Sequence, residues 1–110
     1  MYKSIFFNFI LFVSINCKAQ STAQNFAGKV AEKMKDSLSL TETEQEQIYN
    51  INMQLHDQKT LVRTQYEGNV SLGIKIQRIE NTRDSLYRTI LKEDKFILYQ
   101  QKKTALINNN

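Results

Sequence analysis

Leu40-Thr41-Glu42-Thr43-Glu44-Gln45 opens the longest helix that this chain can form, and the rest of the fold is read outward from it. Thr41 and Glu44 stand at the Ser/Thr-x-x-Glu spacing of a capping box. The Thr41 hydroxyl accepts the third helical backbone N–H, and the Glu44 carboxylate accepts the N–H of the cap residue. Downstream, Ile48, Ile51, Leu55, Val62 and Tyr66 recur at helical spacing and make one apolar stripe. The spacing predicts a second helix over about residues 42 to 67, roughly 39 Å long at 1.5 Å per residue. Tyr49 and Met53 fall to one side of the stripe as a weaker apolar patch.

Upstream of the cap, Phe26, Val30 and Met34 recur every four residues, flanked by Ala23, Ala27 and Ala31. They predict a first helix over about residues 23 to 37, opened by Ser21 and Gln24 at capping-box spacing and closed at Leu38-Ser39-Leu40. Beyond the second helix, Gly68-Asn69 reads as a turn. Val70-Leu72-Ile74-Ile76 alternates like a strand, but a lone strand has no pairing partner in a helical chain. Leu72, Ile76, Ile79, Leu86 and Ile90 also share one helical stripe, so a third helix is predicted over about 70 to 90, with Gly73 as its soft point. Phe96, Tyr99 and Leu106 carry a fourth helix over about 94 to 107. Its Phe96-Ile97-Leu98-Tyr99 turn is apolar all round and so belongs in a core or an interface. The chain of 110 residues has no proline and three glycines, which fits helix throughout. The expected fold is all-α: about four helices in an elongated, cradle-like helical hairpin. So long a helix in so short a chain leaves apolar surface for a second copy to cover, and a homodimer is expected.

The N-terminus reads separately. Met1-Tyr2-Lys3 is followed by an apolar run from Ile5 to Ile15 and then Cys17-Lys18-Ala19. A positive start, a short apolar stretch and a small residue at the cut site describe a secretory signal peptide. The run is well short of the roughly 20 residues that a spanning helix needs. Cleavage after Ala19 is expected, leaving an all-helical domain over 20–107 and a disordered tail at 108–110. Lipidation at Cys17 is the lesser route, because Asn16 suits that processing poorly. Removal of residues 1–19 takes away the only cysteine together with Lys3 and Lys18. The formal charge then falls from +4 to +2 (13 Lys and Arg against 11 Asp and Glu). A periplasmic or secreted protein with so small an excess of positive charge is a poor candidate for nucleic-acid binding.

Taken together, Leu40-Thr41-Glu42-Thr43-Glu44, the preceding Lys33-Met34-Lys35-Asp36-Ser37-Leu38, and Arg83-Asp84 leading through Ile90-Leu91 to Tyr99 resemble the Spy/CpxP-like family of periplasmic proteins. That family is named for a repeated Leu-Thr-x-x-Gln motif. Glu44 stands where its first motif has Gln, and the second keeps Leu91 but has Lys92 for Thr and Lys95 for Gln. Lysine cannot accept an N–H, so the second cap is lost unless Asp94 replaces it one turn on. The resemblance implies long helices in a cradle-shaped antiparallel dimer. It also implies an ATP-independent chaperone or envelope-stress modulator, with some members binding zinc.

Candidate chemistry is sparse. His56 is the only histidine and lies beside the stripe next to Asp57, whereas a zinc site needs three or four ligands. No metal, cofactor or catalytic residues are assigned, and an enzyme is not expected. Glu42, Glu44 and Glu46 cluster at a helix N-terminus, where the helix dipole already favours them. Arg83, between Ile79 and Leu86 on the third stripe, has three readings: a side chain snorkelling to water, a buried or interfacial ion pair, or a cationic spot on a binding face. Tyr49, Met53, Arg83, Phe96 and Tyr99 form the candidate client or dimer surface, with Leu40, Thr41, Glu44 and Leu91 as motif and cap residues. The expected function is ATP-independent binding of unfolded or partner proteins in the envelope. Two alternatives stand beside it, a regulatory or structural module docking to one specific partner and a metal-responsive sensor.

Overall fold

The computed structural model describes residues 22–108. The predicted signal peptide, the Cys17 alternative, the Ser21 cap and the end of the tail lie outside the described residues. Helix α1 covers residues 22–38, α2 Glu42–Gln65, α3 Leu72–Asn81, α4 Arg83–Arg88 and α5 Glu93–Lys103, and Thr104–Asn108 winds on as a wider π-helical turn. No strand occurs among the described residues, so the alternating Val70–Ile76 run is indeed not a strand. Val70 is fully exposed in the turn, and the helix begins only at Leu72.

Each helix end has an identifiable cause. Ser39 takes a positive φ of 57°, and the Leu40 N–H reaches back to the Lys35 carbonyl at 3.1 Å. That is a Schellman ending, with serine in the left-handed position that glycine usually fills. Leu40 and Met34, which flank this closure, are both buried. Thr41 then starts α2: its Oγ1 accepts the Glu44 N–H at 3.1 Å, and Glu44 Oε1 accepts the Thr41 N–H at 2.8 Å. Such a cap contributes about 1 kcal/mol. Between α2 and α3, Gly68 takes a φ of 77° and Asn69 Oδ1 accepts both the backbone N–H and the hydroxyl of Ser71. Across this turn Lys75 Nζ sits 4.4 Å from the centre of the Tyr66 ring.

The third helix expected over about 70 to 90 is two helices. The break falls at Thr82, not at Gly73. Thr82 Oγ1 donates to the Ile79 carbonyl at 2.7 Å, and its backbone N–H bonds to the same carbonyl. Thr89 repeats the arrangement on Leu86 at 2.6 Å, where α4 ends. A threonine hydroxyl that takes a carbonyl one turn back competes with the helical ladder and tightens the turn. Lys92 then caps α5 without a side-chain hydrogen bond, so the second motif has lost its cap and Asp94 does not restore it.

The core lies where α1, the first half of α2, α4 and α5 meet. Val30, Ala31, Met34 and Leu38 of α1 pack with Ile48, Ile51 and Leu55 of α2 and with Tyr87, Leu91, Phe96, Tyr99, Leu106 and Ile107. The Tyr87 and Tyr99 rings meet edge to face at 5.0 Å between centres. Phe26, expected on the α1 core face, is instead 49% exposed. Ala23, Ala27, Val30, Met34 and Leu38 form the buried stripe, and Phe26 flanks it.

Candidate binding surfaces

A hydrogen-bonded cluster of five side chains ties α1, α2, α3 and α4 together. Asn52, on the buried face of α2, donates from Nδ2 to the Ala27 carbonyl at 3.2 Å. Its Oδ1 accepts Arg83 Nη1 at 2.8 Å and the Tyr87 hydroxyl. Arg83 Nη1 also donates to the Tyr87 oxygen at 2.8 Å, while Nε and Nη2 both turn to the Glu80 carboxylate. Lys59 reaches the same carboxylate from α2. Arg83 is 6% exposed, so of its three readings the buried ion pair is the one found. Neither a snorkelling arginine nor a cationic spot open to a client describes it.

The charges in the cluster stabilise one another. Burial works against the Glu80 charge, but hydrogen bonds from Arg83 and Lys59 outweigh it and hold the carboxyl below its ordinary value of 4.5. Burial opposes the Arg83 charge too, and the bond to Glu80 more than compensates, so the guanidinium is held more firmly protonated. Burial pushes the Tyr87 phenol from 10.0 up to about 12, against the pull of Arg83. A second cluster lies nearby, where Asp84 accepts the Tyr99 hydroxyl at 2.8 Å and pairs with Lys103 at 3.0 Å.

These shifts set the pH dependence of stability. A carboxyl whose folded pKa is lowered stabilises the fold above its unfolded value, and that contribution is lost as pH falls through the folded pKa. A phenol whose folded pKa is raised stabilises below its unfolded value and loses that as pH rises. Urea unfolding midpoints should therefore hold between neutral pH and 10, fall below about 4.5 through Glu80 and Glu44, and fall again above 10 through Tyr87 and Tyr99, whose phenol is likewise raised by burial. Glu80→Gln should remove the Glu80 share of the acid limb. A wild-type midpoint unchanged down to pH 3 would contradict this account.

The two motif stretches meet in space. Lys95 Nζ donates to Glu44 Oε1 at 3.0 Å, so the oxygen that closes the α2 capping box also anchors α5. The Glu44 carboxyl lies below its ordinary value, chiefly through the Thr41 backbone bond and then through Lys95. Lysine at position 95 cannot cap its own helix, but it braces the cap of another. Leu40 and Leu91, the leucines of the two stretches, are both buried in the core.

The proposed client or dimer surface is largely not a surface. Phe96 is 3% exposed and Tyr99 is fully buried, because α5 turns that edge onto Tyr87 and Leu91, and the Arg88 guanidinium covers the Phe96 ring at 4.6 Å. Tyr49 is half-buried against the core, and Met53 is half-buried. Exposed apolar groups lie elsewhere. Leu61 on α2 is 58% exposed, Val70 in the turn 100% and Ile74 on α3 60%. Helix α3 carries Leu72, Ile74, Ile76 and Ile79, yet none of its ten residues is buried. On α5, Ile97 and Leu98 face outward.

His56 approaches the Thr60 hydroxyl at 3.4 Å, and among the described residues no group of three or more His, Cys, Asp or Glu side chains could hold a metal ion. No described helix is long and apolar enough to cross a membrane. Asn52, Lys59, Glu80 and Tyr87 were not singled out by the sequence reading. The available signal was Asn52 four residues after Ile48, with Glu80 and Tyr87 one turn either side of Arg83. No family model matches the chain, and no curated protein or solved structure matches it.

Proposed function

We propose that the protein is an exported, chaperone-like binder of unfolded or partner proteins in the envelope, acting without ATP after its signal peptide is cleaved beyond Ala19. The observation that carries this reading is α3, an amphipathic helix with none of its residues buried, packed on the half of α2 that exposes Leu61. The core ties α1, α4 and α5 to the first half of α2, and at the α2–α3 end Leu61, Val70 and Ile74 stay exposed. Dispersed apolar side chains in a polar setting suit weak, adaptable contacts with many sequences. The cations Arg63, Lys75 and Arg78 on the same two helices add long-range attraction for acidic client segments. The resemblance to the Spy/CpxP-like family points the same way. In that arrangement α2 and α3 are the limbs of an elongated hairpin, and two copies form a cradle.

The direct test is sedimentation of the purified protein alone and with a reduced, unfolded client. A dimer that shifts to a heavier species with several unrelated clients is expected. Co-sedimentation with none of them would overturn the chaperone reading. Capture of one envelope protein in its folded form would favour the module that docks to a specific partner.

A further inference from the structure

We propose that the groove between the start of α1 and the middle of α2 is a binding site for a single-chain fatty-acid carboxylate. This goes beyond the protein-binding reading and does not rest on it. The groove encloses about 600 Å³, within the range of about 300–1,000 Å³ typical of small-molecule sites. One wall is apolar: Ala23, Phe26 and Val30 of α1 follow one another along a single helical face. The opposite wall is a stripe of α2 that carries Lys59 and Arg63, and Arg83 closes the base. The described lining contains no Asp or Glu.

Three features fix the class of occupant. First, the size: a partner helix needs a long groove with anchors over several turns, whereas this volume suits one small molecule. Second, the division of the walls: a hydrocarbon chain laid along α1 would cover Phe26, the one large apolar side chain among the described α1 residues that is left half in water. A head group would then fall to the α2 side. Third, the charge: Lys59 and Arg83 share the single carboxylate of Glu80, and Arg63 makes no ion pair among the described residues. The groove therefore carries a positive excess with no anion in its lining. Arg83 and Asn52 are already held by hydrogen bonds, so the base is preorganised and its ordering costs a ligand little. An acyl chain ending in a monoanion matches both walls at once.

Isothermal titration of dodecanoate, below its micellar concentration, into the purified protein tests this. Saturable binding of one molecule per chain is expected, with a Kd on the order of 10 μM. Dodecanol, which keeps the chain and loses the charge, should bind at least about tenfold more weakly. Arg63→Glu should weaken dodecanoate by about tenfold or more while leaving the melting temperature unchanged, because Arg63 is exposed. Phe26→Asp should weaken both ligands. Dodecyl phosphate separates the head groups, and weaker binding than dodecanoate supports the carboxylate. Tighter binding of dodecyl phosphate would overturn the assignment, as would equal binding of dodecanol, no effect of Arg63→Glu, or no saturable binding. A client-binding failure would leave these results untouched.

Discussion

Replacing Arg83 with methionine is expected to remove up to about 3–5 kcal/mol from the free energy of unfolding, the cost of breaking a buried ion pair from one side, reduced here because Glu80 is partly exposed and keeps Lys59. A domain of this size holds only about 5–15 kcal/mol in total, so this single change should bring it close to unfolding. The loss has two parts. Glu80 would keep only Lys59 against its burial, and Asn52 Oδ1 would keep only the Tyr87 hydroxyl. Methionine fills much of the same volume, so the packing of the stem is retained and the polar loss is isolated. Arg83→Lys should recover part of the stability, since an ammonium can pair with Glu80 but cannot serve Asn52, Tyr87 and Glu80 together. Urea unfolding of the three proteins checks this, and a loss below about 0.5 kcal/mol, the level of an ordinary surface change, would show that the cluster contributes little.

Much of the fold was legible because its signals are local. The capping box at Thr41 and Glu44, the stop at Ser39, and the apolar stripes of α1 and α2 each depend on residues within two turns of one another. The break at Thr82 was not legible. Threonine is tolerated inside helices, and only the observed hydrogen bond to Ile79 shows that here it ends one. The burial of the candidate surface residues was read less well, for a related reason. Phe96 and Tyr99 look like spare apolar groups until α5 is seen to fold back on α4, and Arg83 keeps three readings open until Asn52 supplies a buried partner 31 residues away. Lys95 is the clearest case. As a motif residue it reads as a loss, and only the three-dimensional join to Glu44, 51 residues distant, gives it a role. Contacts between distant segments carry no periodicity, so side chains that work by reaching another helix stay silent in one sequence.

Substituting both Leu61 and Ile74 with aspartate is expected to weaken protection of an unfolded client at least about fivefold and to leave the fold intact. Both side chains are more than half exposed, so burial losses are small, and the helix-propensity penalty is about 0.5 kcal/mol at each position. The effect on clients should be much larger. Two exposed apolar side chains vanish, and two negative charges appear on the helices that carry Arg63, Lys75 and Arg78, which would weaken any attraction for acidic segments. Ile97→Asp on α5, also outward-facing at 45% exposed but away from the α2–α3 end, is the control. The decisive measurement is light scattering from a reduced, aggregating client with each purified protein added. Wild type and Ile97→Asp should slow aggregation, more strongly at low salt, and the double variant should need at least about fivefold more protein for the same delay, about 1 kcal/mol of client affinity. Equal protection by the double variant, with unchanged melting, would contradict the assignment of the α2–α3 end as the working surface.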